Sequence, residues 1–168
     1  MNLYILRHAI AVDAGTPGIE TDSQRPLTQE GAVKMRSIAR GMRKLDLQLD
    51  LILSSPYVRT RQTAEIVADE FKLKSEFHVN SALVPGAPEG KIIAEITKRY
   101  PQKNNILLVG HEPSLSALIS KLLSGDSTLS ITMKKGGLCR LNIASLTYDR
   151  CADLEWLLYP FQLAELGR

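Results

Sequence analysis

A short apolar run near the start of the chain constrains the fold more than any other stretch. Residues 3–6 are Leu-Tyr-Ile-Leu, and the run stops abruptly at Arg7 and His8. A continuous apolar run, as opposed to an alternating one, is typical of a strand buried on both faces of a parallel sheet. In open α/β sheets, ligands bind beyond the carboxyl ends of the strands. The pattern therefore predicts an α/β fold with Arg7 and His8 at the ligand-binding edge of the sheet.

A second apolar run is followed by a helix that carries another arginine. Residues 49–53 predict a strand, and the next residues predict a helix with Ser55 as its cap and Pro56 at its first position. Arg59 then falls in the first turn of that helix, close to the carboxyl edge of the sheet. We expect Arg61, two residues further on, to be a solvated surface side chain.

A third apolar run ends at a histidine. Residues 104–109 predict another buried strand, and His111 follows it just before a helix N-terminus, a place that favours bound anions. Because the carboxyl ends of parallel strands meet at one edge of a sheet, we expect the polar side chains after the three strands to converge. The predicted cluster consists of Arg7, His8, Arg59 and His111.

The remaining patterns complete one domain over residues 1–168, a mainly parallel sheet flanked by helices on both faces. Thr28 suits the N-cap of the helix that follows the long polar loop at 9–26. Alternating patterns at 138–143 and 153–158, with a turn between them, predict a hairpin at the sheet edge. The residues after this hairpin predict only a tail of uncertain order.

Charge and composition exclude several classes of function. The 168 residues carry a formal net charge of +3 that is spread along the chain, so nucleic acid is not an expected partner. No stretch approaches the roughly 20 apolar residues of a membrane span, and the N-terminus lacks the basic region of a signal peptide. The two cysteines match no zinc or redox spacing. We therefore expect a cytoplasmic protein that does not bind a membrane.

Two arginines and two histidines around one point predict a phosphate-binding site. Each guanidinium can donate two charge-assisted hydrogen bonds to phosphoryl oxygens. Nearby arginines disfavour the imidazolium form, so one histidine can stay neutral and nucleophilic. The sequence shows neither a carboxylate cluster nor a glycine-rich Walker loop for magnesium. We therefore expect phosphoryl transfer in a cationic cradle without a metal or another cofactor.

Four motifs in this order resemble the histidine phosphatase superfamily. They are Leu-Arg-His-Ala at 6–9, Arg-Pro-Leu-Thr-Gln-Glu-Gly at 25–31, Ser-Ser-Pro-Tyr-Val-Arg-Thr-Arg-Gln-Thr at 54–63 and Val-Gly-His-Glu-Pro at 109–113. The resemblance runs from the first strand to the last. The small size and the wording of the motifs are most similar to the SixA-type phosphohistidine phosphatases.

The resemblance implies a role for each residue of the predicted cluster. His8 matches the nucleophile that takes the phosphoryl group as a phosphohistidine intermediate. Arg7 and Arg59 match the arginines that hold the phosphoryl oxygens. His111 matches the second histidine, which hydrogen-bonds the phosphoryl group and stabilises its charge. The implied fold is the phosphoglycerate mutase-like one.

The sequence departs from the family pattern at two places. Ala9 stands where the family often has glycine, which matters only if that backbone needs a positive φ. Larger members carry a carboxylic acid that protonates an alkoxide leaving group, and the stretch that aligns with it here, residues 83–85, has none. Glu89 lies nearby and is the remaining candidate for this acid.

The missing acid favours a phosphoramidate substrate, because imidazole leaves as a neutral, moderately basic group, whereas an alkoxide needs strong help. We therefore hypothesise a phosphatase for protein phosphohistidine, acting on a phosphotransfer domain. A small-molecule phosphomonoesterase of the same superfamily and a non-catalytic phosphoprotein-binding module are the alternatives. A monomer is expected.

Arg25 is a further candidate for substrate binding. It precedes the helix that begins near Thr28 and could reach the predicted cluster. The alternative is a structural arginine that pairs with Asp22.

Overall fold

The six strands that the structure describes join one sheet, with helices packed on both of its faces. The computed structural model describes residues 1–88 and 90–168. The strands are β1 (Asn2–Arg7), β2 (Leu51–Ser54), β3 (Phe77–Val79), β4 (Asn105–Gly110), β5 (Leu138–Ile143) and β6 (Ala152–Leu158). The helices are α1 (Gln29–Lys44), α2 (Val58–Phe71), α3 (Lys91–Arg99), α4 (Ser114–Ser124) and α5 (Pro160–Leu166).

The sheet has the order β3-β2-β4-β1-β5-β6. The first four strands in this order are parallel, whereas β5 runs antiparallel to β1 and forms a hairpin with β6. The mainly parallel sheet and the edge hairpin are therefore as predicted. Strands β2, β4 and β1 lie side by side, so their carboxyl ends share one edge.

The core consists of two apolar layers, one on each face of the sheet. Successive strand residues point to opposite faces, so Ile5 packs with α3 and α4 while Leu6 packs with α1, α2 and α5. Both faces of the central strands are buried, which is why their sequences are continuous apolar runs. Across the described part of the chain, no helix is long and apolar enough to cross a membrane.

The start of α1 is confirmed and the start of α2 is corrected. Thr28 caps α1, its side chain accepting a hydrogen bond from the backbone N–H of Gly31 at 2.9 Å. Helix α2 begins only at Val58, with Tyr57 as the N-cap, so Ser55 and Pro56 precede it. Ser55 and Pro56 connect β2 to α2, and the Ser55 hydroxyl forms a hydrogen bond with His111.

The tail whose order the sequence left uncertain is ordered in the structure. Residues 160–166 form α5, which packs against α1 with Leu163 fully buried. Pro160 at its first position was the available sequence signal. The two helices come very close because Gly41 of α1 has no side chain, and a Cβ atom there would overlap the carbonyl oxygen of Leu163.

We predict that Gly41→Ala destabilises the protein. On helix propensity alone, alanine in place of an interior glycine adds about 0.5–1 kcal/mol of stability. Here the new methyl group meets backbone atoms, which cannot rotate away, so we expect a loss of about 1–3 kcal/mol in the free energy of unfolding. Urea denaturation measures it, with Val33→Ala at an exposed position of the same helix as the control. A more stable Gly41→Ala variant would contradict the close packing of α1 and α5.

Candidate active site

Four side chains predicted from the sequence lie together at the carboxyl edge of the sheet. Arg7 ends β1 and His8 follows it, while His111 follows β4, the parallel neighbour of β1. The centroids of the two imidazole rings are 5.3 Å apart. Arg59, in the first turn of α2, donates from Nε to His8 Nε2 at 3.3 Å. The predicted convergence of the strand ends is therefore present.

The hydrogen bonds of His8 define which ring nitrogen is free. Its Nδ1 lies 2.7 Å from the carbonyl oxygen of Ala9, which can only accept, so we assign the ring proton to Nδ1. Nε2 faces an N–H donor from Arg59 and therefore carries a lone pair. A neutral imidazole with a lone pair on Nε2 is the nucleophilic form of the side chain.

Burial keeps this form of His8 down to acidic pH. Only 6% of the residue is exposed. Burial lowers its pKa to about 4, and the positive charges of Arg59 and Arg7 act in the same direction. The hydrogen bond to Ala9 opposes this shift without reversing it. The ring is consequently uncharged at neutral pH.

Arg59 is held in place by Asp22 from the loop before α1. Its Nη1 donates to the backbone carbonyl of Asp22 at 2.6 Å and its Nη2 to the Asp22 carboxylate at 2.8 Å. Burial opposes ionisation of this carboxyl, but hydrogen bonds from Arg59 and Arg25 hold its pKa below the usual range. The charged Asp22 thus fixes the outer end of the guanidinium, and Nε remains directed at His8.

Arg7 is positioned by the turn at 133–137. Its Nη1 donates to the carbonyl oxygen of Met133 at 2.7 Å. Gly136, at φ +79°, donates its backbone N–H to the carbonyl oxygens of Arg7 and His8. A side chain at that φ would be strained, so glycine permits this clamp between the turn and the end of β1.

His111 is oriented by Ser55. Its Nε2 lies 2.9 Å from Ser55 Oγ, and this oxygen already accepts a hydrogen bond from the backbone N–H of Tyr57 at 3.4 Å. We assign the Ser55 hydroxyl proton to the bond with Nε2, which places the ring proton of His111 on Nδ1. The Tyr57 ring packs against the imidazole with centroids 5.0 Å apart. Burial lowers the pKa of His111 to about 3, and the charge of Arg59 adds to this effect.

Two unsatisfied nitrogens belong to this cluster. Among the buried side-chain nitrogens and oxygens that the structure describes, only Arg7 Nε and His111 Nδ1 lack a hydrogen-bond partner. Leaving a buried polar group unpaired costs about 1–3 kcal/mol, so such atoms are characteristic of ligand sites. With the assignment above, both are buried N–H donors without a hydrogen-bond partner, and both belong to the cluster.

Arg25 is linked to this cluster through Asp22, which also binds Arg59. Its Nη1 pairs with the Asp22 carboxylate at 2.6 Å and its Nε donates to the carbonyl oxygen of Val12 at 2.7 Å. The pairing with Asp22, which the sequence offered as the alternative to substrate binding, is present, and a contact of Arg25 with substrate stays a prediction. Ala9 lies outside the positive-φ region, so alanine is accommodated where the family often has glycine.

An apolar cavity adjoins His111, and its described walls carry no carboxylate. Residues 83–85 form part of these walls. Glu89, the remaining candidate for a general acid, lies outside the described residues. Over 1–88 and 90–168, no group of three or more His, Cys, Asp or Glu side chains is arranged to hold a metal ion.

Sequence reasoning missed the residues that position the site. Asp22 was considered only as a partner of Arg25, although a long polar loop next to a cationic cluster was a usable signal. Ser55 was expected to cap a helix, and its contact with His111 depends on the two segments being adjacent in space. No sequence pattern indicates that the carbonyl of Met133 binds Arg7, because a carbonyl acceptor is independent of residue type.

The fold and this cluster define an α/β protein of the phosphoglycerate mutase-like class. More specifically, the chain belongs to the histidine phosphatase superfamily, whose branch 1 model matches residues 3–83. The predicted family is therefore confirmed.

Relatives match over nearly the whole chain. Phosphohistidine phosphatase SixA of Escherichia coli K12 is 28% identical over 167 residues, covering 97% of this chain and 96% of that protein. An uncharacterized protein of Picosynechococcus sp. is 31% identical over 159 residues, covering 94% of each. The structure of the protein histidine phosphatase SixA complexed with tungstate superposes with a TM-score of 0.80 at 25% identity, covering 97% of this chain and 99% of that one.

The depressed histidine pKa values predict how stability depends on pH. An unfolded histidine titrates near 6.5, whereas His8 in the folded chain titrates near 4, so the unfolded state binds the extra proton between these values. Above about pH 6.5 the ring is neutral in both states, so the free energy of unfolding keeps its full value. As the pH falls toward 4, protonation of the unfolded state lowers the free energy of unfolding. As the pH falls from about 5.5 to 4.5, the unfolding free energy of the wild type decreases. We expect this decrease to be smaller in His8→Gln by about 1.4 kcal/mol per pH unit. Urea denaturation at several pH values measures it, and equal slopes in the two proteins would refute the buried neutral His8.

Proposed function

We propose that this chain is a phosphatase that hydrolyses protein phosphohistidine through a phosphohistidine intermediate on His8. The observation that carries the proposal is the lone pair of His8 Nε2, fixed by the Ala9 carbonyl and placed 3.3 Å from Arg59 Nε. The catalytic residues in this proposal are His8, Arg7, Arg59 and His111. The SixA complex with tungstate, a tetrahedral dianion like phosphate, is consistent with an oxyanion site in this fold.

In the first step, His8 Nε2 attacks phosphorus and the P–N bond of the substrate breaks. The electron pair of that bond returns to the substrate imidazole, which leaves as a neutral ring when its other nitrogen carries a proton. Arg7 Nε and His111 Nδ1, the two unpaired donors, bind the phosphoryl oxygens as their charge is redistributed. Arg59 Nε–H turns from His8 Nε2 to a phosphoryl oxygen when the nitrogen forms its new bond.

In the second step, water attacks the phosphorus of phospho-His8. The new P–O bond forms as the P–Nε2 bond breaks, and the electron pair returns to Nε2. Both protons of the water stay with the released phosphate, which leaves as H₂PO₄⁻. Nδ1 keeps its proton on the Ala9 carbonyl throughout, so His8 returns to its starting tautomer.

The proposed substrate class is supported by the lack of a proton donor for the leaving group among the described residues of the cavity wall. A monoester needs a proton donor for the departing oxygen, and the described walls beside His111 offer no carboxylic acid. Burial lowers the pKa of His111 to about 3, so this ring is an uncharged imidazole at neutral pH before substrate binds. A phosphoramidate can dispense with such an acid because imidazole is already a good leaving group.

In this proposal the partner is a phosphotransfer domain that carries phosphohistidine. The chain acts on it as a monomer in the cytoplasm. Arg7 and Arg59 bind the phosphoryl group, and Arg25 contacts the substrate near its entry. Hydrolysis of small phosphate monoesters is the second candidate function. Its support is the shared superfamily, and the same assay separates the two.

We predict that the purified chain releases phosphate from a phosphohistidine-carrying phosphotransfer domain much faster than from sugar phosphates or phosphoserine. His8→Ala removes the nucleophile and should lower the rate on the order of 10³-fold or more. Phosphate release under identical conditions measures both.

His78→Ala is the matched control, because this histidine is exposed on β3 and stacks on Tyr100 away from the site. It should retain full activity. Monoester turnover that His8→Ala abolishes, with phosphohistidine untouched, would replace the proposed substrate. Full activity of His8→Ala would contradict the mechanism.

A further inference from the structure

The turn at 134–137 and the start of α5 lie at the same edge of the sheet as the candidate active site. Strand β5 begins at this edge, because it runs antiparallel to β1 and pairs Leu138 with Leu6. Strand β6 ends there, because it pairs Leu158 with Leu138. The turn that precedes β5 and the helix that follows β6 are therefore neighbours of the carboxyl end of β1.

The turn is bound to the end of β1 by backbone hydrogen bonds. Gly136 donates its N–H to the carbonyl oxygens of Arg7 at 3.0 Å and His8 at 3.2 Å. Gly137 closes the turn by donating to the carbonyl oxygen of Lys134 at 2.7 Å. Because these bonds use only backbone atoms, they hold the turn beside the site whichever side chains it carries. The two lysine side chains of the turn therefore extend from a fixed place next to the site.

These two lysines are adjacent cations without an anionic partner. Lys134 is exposed and Lys135 is half-buried. Within the described chain, no ion pair and no side-chain hydrogen bond involves either ammonium group. Glu165, the carboxylate of α5, is paired with Arg168 at 2.7 Å. The charge of the turn is therefore not neutralised by the chain itself.

The charge of Lys135 acts at the candidate nucleophile. Burial is the main cause of the low pKa of His8. The charges of Arg59 and Arg7 add to this effect, and the charge of Lys135 follows them. Since the interaction between charges weakens with distance, Lys135 belongs to the entrance of the site and not to a remote surface.

Two aromatic side chains stand next to this turn. Pro160, the first residue of α5, is close to it, because a Cβ atom at Gly136 would lie 3.5 Å from Pro160 Cβ. The residues on either side are Tyr159, which is half-buried, and Phe161. Phe161 is 63% exposed, more than any other large hydrophobic residue that the structure describes, and its ring centroid lies 6.3 Å from that of Tyr159. Aromatic residues are enriched in protein–protein interfaces.

We propose that the two lysines and the two aromatic residues form the docking surface for the protein substrate, and that they bind an acidic surface around its phosphohistidine. The four residues, which we call the entrance rim, are Lys134, Lys135, Tyr159 and Phe161. The inference rests on the proposed function. A folded protein whose phosphoryl group reaches the buried His8 covers this edge of the sheet, where the rim lies. The unpaired ammonium groups attract carboxylates, and the aromatic rings bury apolar surface on contact.

The test compares two substrates that have the same P–N bond. One is a phosphotransfer domain with acidic residues around its phosphohistidine, and the other is free phosphohistidine, which has no protein surface. At low ionic strength we expect Lys134→Glu to lower kcat/KM for the domain about fivefold, mainly through KM, and to leave free phosphohistidine within about twofold. The loss should fall below about twofold at about 0.5 M salt, because salt screens exposed charges.

Phe161→Ala tests the aromatic half of the rim. We expect it to lower kcat/KM for the phosphotransfer domain about fivefold at both salt concentrations, because the packing of an aromatic ring is not screened. Free phosphohistidine should again stay within about twofold. Since Lys134 and Phe161 are both exposed, both variants should keep the urea midpoint of the wild type.

Lys98→Glu is the matched control for the change of charge. Lys98 is exposed near the end of α3, which leads to the amino end of β4 at the opposite edge of the sheet. It should alter the turnover of neither substrate. A loss in Lys98→Glu equal to that in Lys134→Glu would show a general effect of net charge and would overturn the docking surface.

The same assays separate this inference from the proposed function. If Lys134→Glu and Phe161→Ala both leave kcat/KM for the domain unchanged, or lower both substrates equally, the docking surface is wrong. Turnover of free phosphohistidine by the wild type would still support the phosphatase proposal in that case. A wild-type chain that hydrolyses neither substrate would remove the phosphatase proposal and this inference with it.

Discussion

The parallel pairing of β1 with β4 and of β4 with β2 is the constraint on which the candidate site depends. Arg7 pairs in register with Gly110, and Ser54 with Val109, so the three strands end at the same level. The residues that follow each strand are therefore brought together although they are about 50 positions apart in the chain. A slip of one residue in either pairing would turn the buried side chains to the opposite faces of the sheet, and the two apolar layers prevent it.

Burial and the positive charges of the arginines together lower the pKa values of the two histidines. The site contains two guanidinium groups, and Asp22 supplies a carboxylate that pairs with Arg59. Both imidazoles are buried and uncharged at neutral pH. The positive charge thus resides on the arginines, which the proposed mechanism uses to bind phosphoryl oxygens, and His8 keeps the lone pair that the proposed attack on phosphorus requires. Protonating either histidine would bury a positive charge close to the two arginines, so burial, with the repulsion from Arg59 and Arg7 added to it, lowers the pKa values of both rings.

The sequence predicted the structure correctly where a residue pattern occurs in only one structural setting. Continuous apolar runs occur in strands buried on both faces, so the sheet, its parallel centre and the cluster of Arg7, His8, Arg59 and His111 could be predicted. The first turn of α2 was placed too early, because Ser55 is an equally good cap and partner for a histidine. Helix α5 and the Asp22–Arg59 pair were missed, since both depend on contacts between distant segments.

The central claim is that His8 attacks through Nε2 because Nδ1 donates to the Ala9 carbonyl. The most direct measurement is the position of the phosphoryl group on the trapped phosphoenzyme. The chain is quenched in alkali after brief reaction with phosphoramidate, digested, and compared with both phosphohistidine isomers by chromatography and ³¹P NMR. We expect phosphorylation of His8 at Nε2 and none in His8→Ala. Phosphorylation at Nδ1, or at any other residue, would contradict it.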